Sequence, residues 1–436
     1  MEPFGDRAWV SPANFDEAFR KAHSPRLPKL VVVRDSTLRE GEETPGVAFT
    51  LEEKLEIAEA LEELGVRLVD VGYVGVVREH WELAAALKER GFHLETHCHL
   101  GTNPAKWAGE LEKVADARID SVGVGVVLNQ WQLDLFAGNV GGSRAQRVTP
   151  QVMLELVRPT VRRVKRAGLN PHLDLVDATR TDPALLAAAT SKALKAGASA
   201  VFVYDSVGAC YPAAFRAILS PLVDLTAERG VPFGVHVHDD FGLATASTLA
   251  GVEEGATVVD LVANKLGDRA GNASLEEVVV ALELLYGVDT GLRLNKLHDF
   301  CKLVERLSGV PLPPNKAVVG CNAFLHESEL HARSVLEAAG GGGRPPPHWM
   351  CFTPYRPELV GQEERVVFGP TTLHGDALAA LASSAGLTGW EASAGQVLDE
   401  LRGIIARKKF ATLEEVLGAI RRAGGRGPGA SDPTLE

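Results

Sequence analysis

Eight short runs rich in β-branched residues, separated by longer Ala/Leu/Glu/Arg segments of helical period, constrain this chain more than any other feature. They are KLVVVRDST, RLVDVGYV, FHLETHCHL, SVGVGVVL, NPHLDLVDA, AVFVYDSV, PFGVHVHDD and VVDLVAN. The intervening segments are typified by LEEKLEIAEALEELG, whose apolar residues recur every three or four positions and which ends on Gly65. Eight βα repeats over roughly 260 residues match the size of a (β/α)8 TIM barrel. An open doubly wound sheet fits less well, because the count reaches eight and no G-x-G-x-x-G follows the first strand.

The remaining sequence divides around that block. Residues 1–28 read as an N-terminal extension, 29–290 as the barrel and 291–436 as helical C-terminal subdomains. A Gly/Pro-rich linker near 339–348 interrupts the last region. A net charge of −12 without a basic stripe argues against nucleic acid as a partner. Five scattered cysteines without a C-x-x-C pair suit reduced thiols. No apolar run approaches membrane-spanning length and the N-terminus lacks a signal-peptide pattern, so a soluble, cytoplasmic protein is expected.

Catalytic groups of TIM barrels sit at the C-terminal ends of the strands. Polar residues cluster at those ends here: Arg39 and Glu40 after strand one, His97 and His99 on strand three, and Asp174 on strand five. Asp205 and Ser206 end strand six, His236, His238 and Asp239 lie on strand seven, and Asn264 and Lys265 follow strand eight. His236 and His238 are two apart, so a strand aims both imidazoles to one face. They are either a hydrogen-bonded core pair or ligands of a divalent metal. Glu40 at another strand end favours the metal, and a His/carboxylate set suits zinc, manganese, cobalt or iron(II).

Four ordered motifs, TLREGE, HVHDDFGLA, GDRAGNASLEEV and PPNKAVVGCNAFLHESELHARSVL, with PELVGQEERVVFG beyond them, resemble the DRE-TIM metallolyase superfamily. Within it they resemble the Claisen-condensing branch of isopropylmalate and homocitrate synthases. The resemblance implies condensation of acetyl-CoA with a 2-oxo acid on a divalent cation such as Mn, Zn, Co or Mg. Glu40, His236 and His238 would ligate it, with Asn272 a weaker or water-mediated ligand. Arg39 would stabilise the developing alkoxide, and His99 and Ser206 would contact the oxo acid. His331 would act in trans, which implies a homodimer with shared active sites.

Several positions depart from that pattern. Glu43 stands where glutamine is usual, Phe352 where tyrosine is expected, and His172, Asp174 and Val176 occupy varied positions on strand five. Lys265 replaces a glycine at the mouth. Lys265 and His172 could together read an anionic tail, so oxaloacetate or a phosphono- or phosphinopyruvate is the expected substrate, with Asp174 lining the same pocket. A C–C bond lyase or aldolase on the same metal, a non-catalytic homologue, and a Schiff-base aldolase using Lys265 are the alternatives.

Overall fold

The computed structural model describes residues 10–101, 103–138, 148–339, 351–373 and 375–427. The chain divides into two compact units, one spanning Ala13–Leu312 and the other built on Pro313–Glu436.

The first unit is a closed barrel of eight parallel strands in sequential order: β1 (Val32–Asp35), β2 (Leu68–Asp70), β3 (Glu95–His99), β4 (Ser121–Val127), β5 (Asn170–Val176), β6 (Ala200–Asp205), β7 (Phe233–Val237) and β8 (Val258–Leu261). Closure sets Arg34 of β1 opposite Asp260 of β8, and Asp260 in turn opposite His236 of β7. Strands covered by helices on the outside must be apolar there, and Val31, Val33, Val235 and Val259 are all buried.

Local signals set the helix boundaries. Thr50 accepts from the Glu53 amide while Glu53 answers the Thr50 amide, and this capping box starts the helix Leu51–Leu64. Gly65 ends it at φ 100°, a conformation that a Cβ would disfavour. The expected eight-strand barrel is therefore the observed one.

The boundaries differ from those read in the sequence. The helix Leu297–Ser308 packs on Leu51–Leu64, and Arg306 donates to Glu56 Oε1 at 2.5 Å, which carries the barrel unit to Leu312 rather than 290. At the other end, Arg26 pairs with Glu254 at 3.0 Å, so part of the presumed extension is tied to the barrel. Apart from residue 339, the Gly/Pro-rich stretch near 339–348 lies outside the described residues.

The second unit contains a small sheet in the order β11 (Ala411–Thr412), β10 (Arg365–Phe368), β9 (Leu325–His326). Its own core includes Leu336, Phe368, Leu378, Trp390, Leu401 and Val416. A second capping box, Thr412 with Glu415, starts the helix Leu413–Arg422. Among the described residues, no helix is long and apolar enough to cross a membrane.

Candidate active site

The interior of this barrel is unusually polar for a layer normally filled by branched apolar side chains. Arg34 is fully buried, lies 3.8 Å over the Phe202 ring and donates to Tyr204 Oη at 2.7 Å and to Asp260 Oδ2 at 2.6 Å. Asp260 also accepts from Ser36 and meets His236 Nδ1 at 2.9 Å. Burial works against the Asp260 charge, but Arg34 and His236 outweigh it and hold the carboxyl well below its usual range.

A carboxylate on Nδ1 fixes His236 with its Nε2 lone pair facing the barrel axis. His238 Nε2 lies 3.2 Å from His236 Nε2, and Glu40 Oε1 is 3.5 Å from the latter. Ligand atoms of Glu40, His236 and His238 all fall within 4.8 Å of one another. Burial pushes His238 down to about 4, so its imidazole is neutral at physiological pH. Asn272 sits on an isolated bridge opposite His238 and donates to Glu40 Oε2 at 3.3 Å, while its buried Oδ1 has no partner. Two converging imidazole nitrogens, a carboxylate and an orphaned amide oxygen fit a divalent cation. Gly267 makes room for Asn272, whose Nδ2 would lie 2.0 Å from a Cβ built there.

Asp70, at the end of β2, organises the other half of the site. It accepts from Arg39 Nε at 2.8 Å, from the Gly72 amide at 2.8 Å, and from His99 Nε2 at 2.9 Å. Asp174 Oδ2 meets the opposite nitrogen of His99 at 3.0 Å. Burial opposes a charge on His99, but the two carboxylates prevail and push it up to about 9, which makes it an imidazolium at neutral pH. Burial likewise opposes the Asp70 charge, and Arg39 with His99 holds Asp70 well below the carboxylate range. Arg39 also contacts Glu40 and lies 3.1 Å from Glu43 Oε1. Glu42 points away, accepting from the Phe49 amide at 2.9 Å and Lys54 Nζ at 2.5 Å, and so serves the turn.

A cavity of about 240 Å³ joins the two halves, and Arg39, Glu40, His99, Asp174, Ser206, His236 and His238 all line it. Asp70, Asp260 and Arg34, which orient those groups, were not singled out in the sequence. The strand-end position of Asp70 in RLVDVG was an available signal. His331 belongs to the second unit, where it stacks on Phe352 with ring centroids 3.9 Å apart, near a His326–Glu364 pair at 3.2 Å.

Two expected tail-reading residues are placed elsewhere. His172 points inward but lies beneath the cavity, stacked between His97 and Phe202, and is pushed by burial to about 4. Lys265 adopts φ 65° and pairs its ammonium with Asp239, and neither residue lines the cavity. A left-handed lysine carries a conformational penalty of about 1 kcal/mol or more that glycine avoids. The pair with Asp239 is partly exposed and recovers little. Lys265→Gly is therefore expected to leave oxo-acid preference unchanged and to hold or raise the urea midpoint.

Fold and site define the class: a (β/α)8 barrel with a carboxylate–histidine cluster at the C-terminal ends of its strands, where a divalent cation would fit. The chain belongs to the HMGL-like family, whose profile matches residues 31–304. It is 36% identical over 346 residues to the homocitrate synthase AksA of Methanopyrus kandleri, covering 79% of this chain and 81% of that protein. A 2-isopropylmalate synthase of Sulfurisphaera tokodaii is 36% identical over 349 residues, with 80% and 84% covered. The (R)-citramalate synthase CimA of Methanocaldococcus jannaschii is 34% identical over 340 residues, with 78% and 64% covered. The HMG-CoA lyase of Brucella melitensis shares the fold, with a TM-score of 0.55 at 18% identity over 65% of this chain and all of that one.

Proposed function

We propose that this protein condenses acetyl-CoA with a 2-oxo acid, forming a 2-hydroxy-2-alkylmalate-type product and free CoA. The observation that carries the reading is the placement of Glu40, His236 and His238 beside Arg39 in one cavity, in a chain whose relatives are named as synthases. A bond forms between the acetyl methyl carbon, which gives up a proton, and the keto carbon, whose oxygen becomes a hydroxyl. Water then cleaves the thioester and releases CoA.

Glu40, His236, His238 and the Asn272 amide oxygen would hold a divalent cation, which when bound would supply Lewis acidity toward the keto oxygen. Asp260 and Arg34 hold His236 in the required tautomer. The permanently charged Arg39 offers its guanidinium to the same oxygen as negative charge develops there. Ser206 accepts from the Asp177 amide at 3.0 Å, which leaves its hydroxyl hydrogen available to the substrate carboxylate. His99, with Asp70 on its Nε2 and Asp174 on its Nδ1, can lend a ring proton to a bound oxygen. The direct test is thiol release from acetyl-CoA across a panel of 2-oxo acids, with and without added metal. A lyase would instead release an acyl-CoA or acetyl fragment from a preformed hydroxyacyl substrate.

We further infer that His331 acts across a homodimer, as the HES-x-x-H resemblance implies. Mixing inactive His331→Ala with inactive Glu40→Ala should restore activity in proportion to intact sites, roughly a quarter after full subunit exchange. A fully active monomer by light scattering would refute the shared site.

A further inference from the structure

We propose that the 2-oxo acid accepted here carries an uncharged, branched apolar tail, and that Gly125 sets how much tail fits; this rests on the condensation reading above. The argument begins with barrel order. The metal-ligating and Arg39 side of the cavity is built by β1, β7 and the segment after β8, which are neighbours in the closed ring. The opposite wall comes from the ends of β3, β4 and β5 and the segments that follow them. Beyond His99 and Asp174, the lining there includes Leu100, Pro104, Val127, Leu133, Met153 and Val176. A keto acid held by its carboxylate and carbonyl at the polar side must send its tail toward that wall.

Charge decides what the tail can be. Among the described lining residues, the cations are Arg39 and the His99 imidazolium, and each is already matched by carboxylates: Asp70, Glu40 and Glu43 for Arg39, Asp70 and Asp174 for His99. Among the described lining residues, an anionic tail would meet no free counter-charge. It would approach Asp174 instead, and burying it unpaired is costly. An alkyl tail meets matching surface in a cavity that is small beside common ligand pockets.

Gly125 supplies the length limit. Positions 123, 125 and 127 share one face of β4, and two of the three lack a side chain. A Cβ at Gly123 would collide with Asp174, but one at Gly125 would meet only Val176 Cγ2 at an ordinary 3.8 Å. The space before Gly125 is therefore left open by the absent side chain, without any backbone packed into it. A larger residue there would fill tail space without disturbing the polar side.

The test compares acids that share a head and length but differ in tail, namely 4-methyl-2-oxopentanoate and 2-oxoglutarate. With acetyl-CoA and Mn²⁺, kcat/KM for CoA release should favour the branched acid by about a hundredfold or more, as expected for an unpaired buried carboxylate. Gly125→Val should cut the rate with the branched acid by about tenfold or more and leave pyruvate within about threefold. Gly125→Ala gives a milder version if circular dichroism shows the valine variant unfolded. A preference for the dicarboxylate, or equal losses for pyruvate and the branched acid in a folded variant, would overturn the inference. CoA release with no acid would overturn the condensation reading instead. Calorimetric titration of the two acids onto the metal-loaded protein would then decide the tail alone: tighter binding of the branched acid upholds it, and equal or weaker binding refutes it.

Discussion

His238→Ala should abolish turnover, lowering kcat by at least about a thousandfold, and should remove most of the tightly held divalent ion. The size follows from the several kcal/mol that a Lewis acid contributes at a carbonyl, each 1.4 kcal/mol being about tenfold in rate. The imidazole lost is one of two whose Nε2 atoms approach within 3.2 Å, so the remaining donors no longer surround one point. Metal analysis after dialysis reads the ion, and CoA release reads the rate. Near-normal metal content together with near-normal rate would remove His238 from the ligand set.

The second large effect concerns folding. Asp70→Ala should destabilise the protein by about 3–5 kcal/mol, because a buried carboxylate serving two buried cations disappears and leaves both without it. The linked pH dependence has a definite sign. The folded-state pKa of His99 is raised to about 9 from an ordinary value near 6.5, so its contribution is complete below about 6.5 and is lost as pH rises through 9. Urea unfolding should therefore show stability falling between pH 7 and 9.5, by roughly 3 kcal/mol at most. His99→Gln should flatten that decline. An unchanged slope in the variant would mean that another group titrates there.

Much of this was legible in the sequence because it depends on short-range periodicity. Alternating apolar runs and capped amphipathic segments declare strands and helices, and eight of each admit few closures. Glu40, His236 and His238 stood out because strand ends and a two-residue spacing fix where those side chains aim. Asp260 did not, since VVDL looks like any strand, and only closure of β8 against β1 and β7 brings it to Arg34 and His236. Asp70 carries a strand-end signal, but its partners lie 31 positions back and 29 ahead in the chain, so its role is set only by the fold.

The two expected tail readers show what strand-end position leaves open. Lys265 follows a strand end, but the left-handed backbone there turns the side chain to Asp239. His172 faces the axis as its strand parity requires, one layer too deep. The apolar wall was invisible as a wall, because Leu100, Val127, Leu133, Met153 and Val176 each resemble ordinary core when taken singly.

Gly123 has a consequence of its own. A methyl group there would fall 2.0 Å from Asp174 Oδ2 and 2.7 Å from His99 Nδ1, the two atoms that share a proton. Alanine at this position would therefore act as a wedge: every functional group would remain in the chain, yet acid and base would be prised apart. Nature's smallest side chain is in this sense the hinge pin of the proton's position, and drift at 123 is barred by distance alone even though the residue itself has no chemistry to lose.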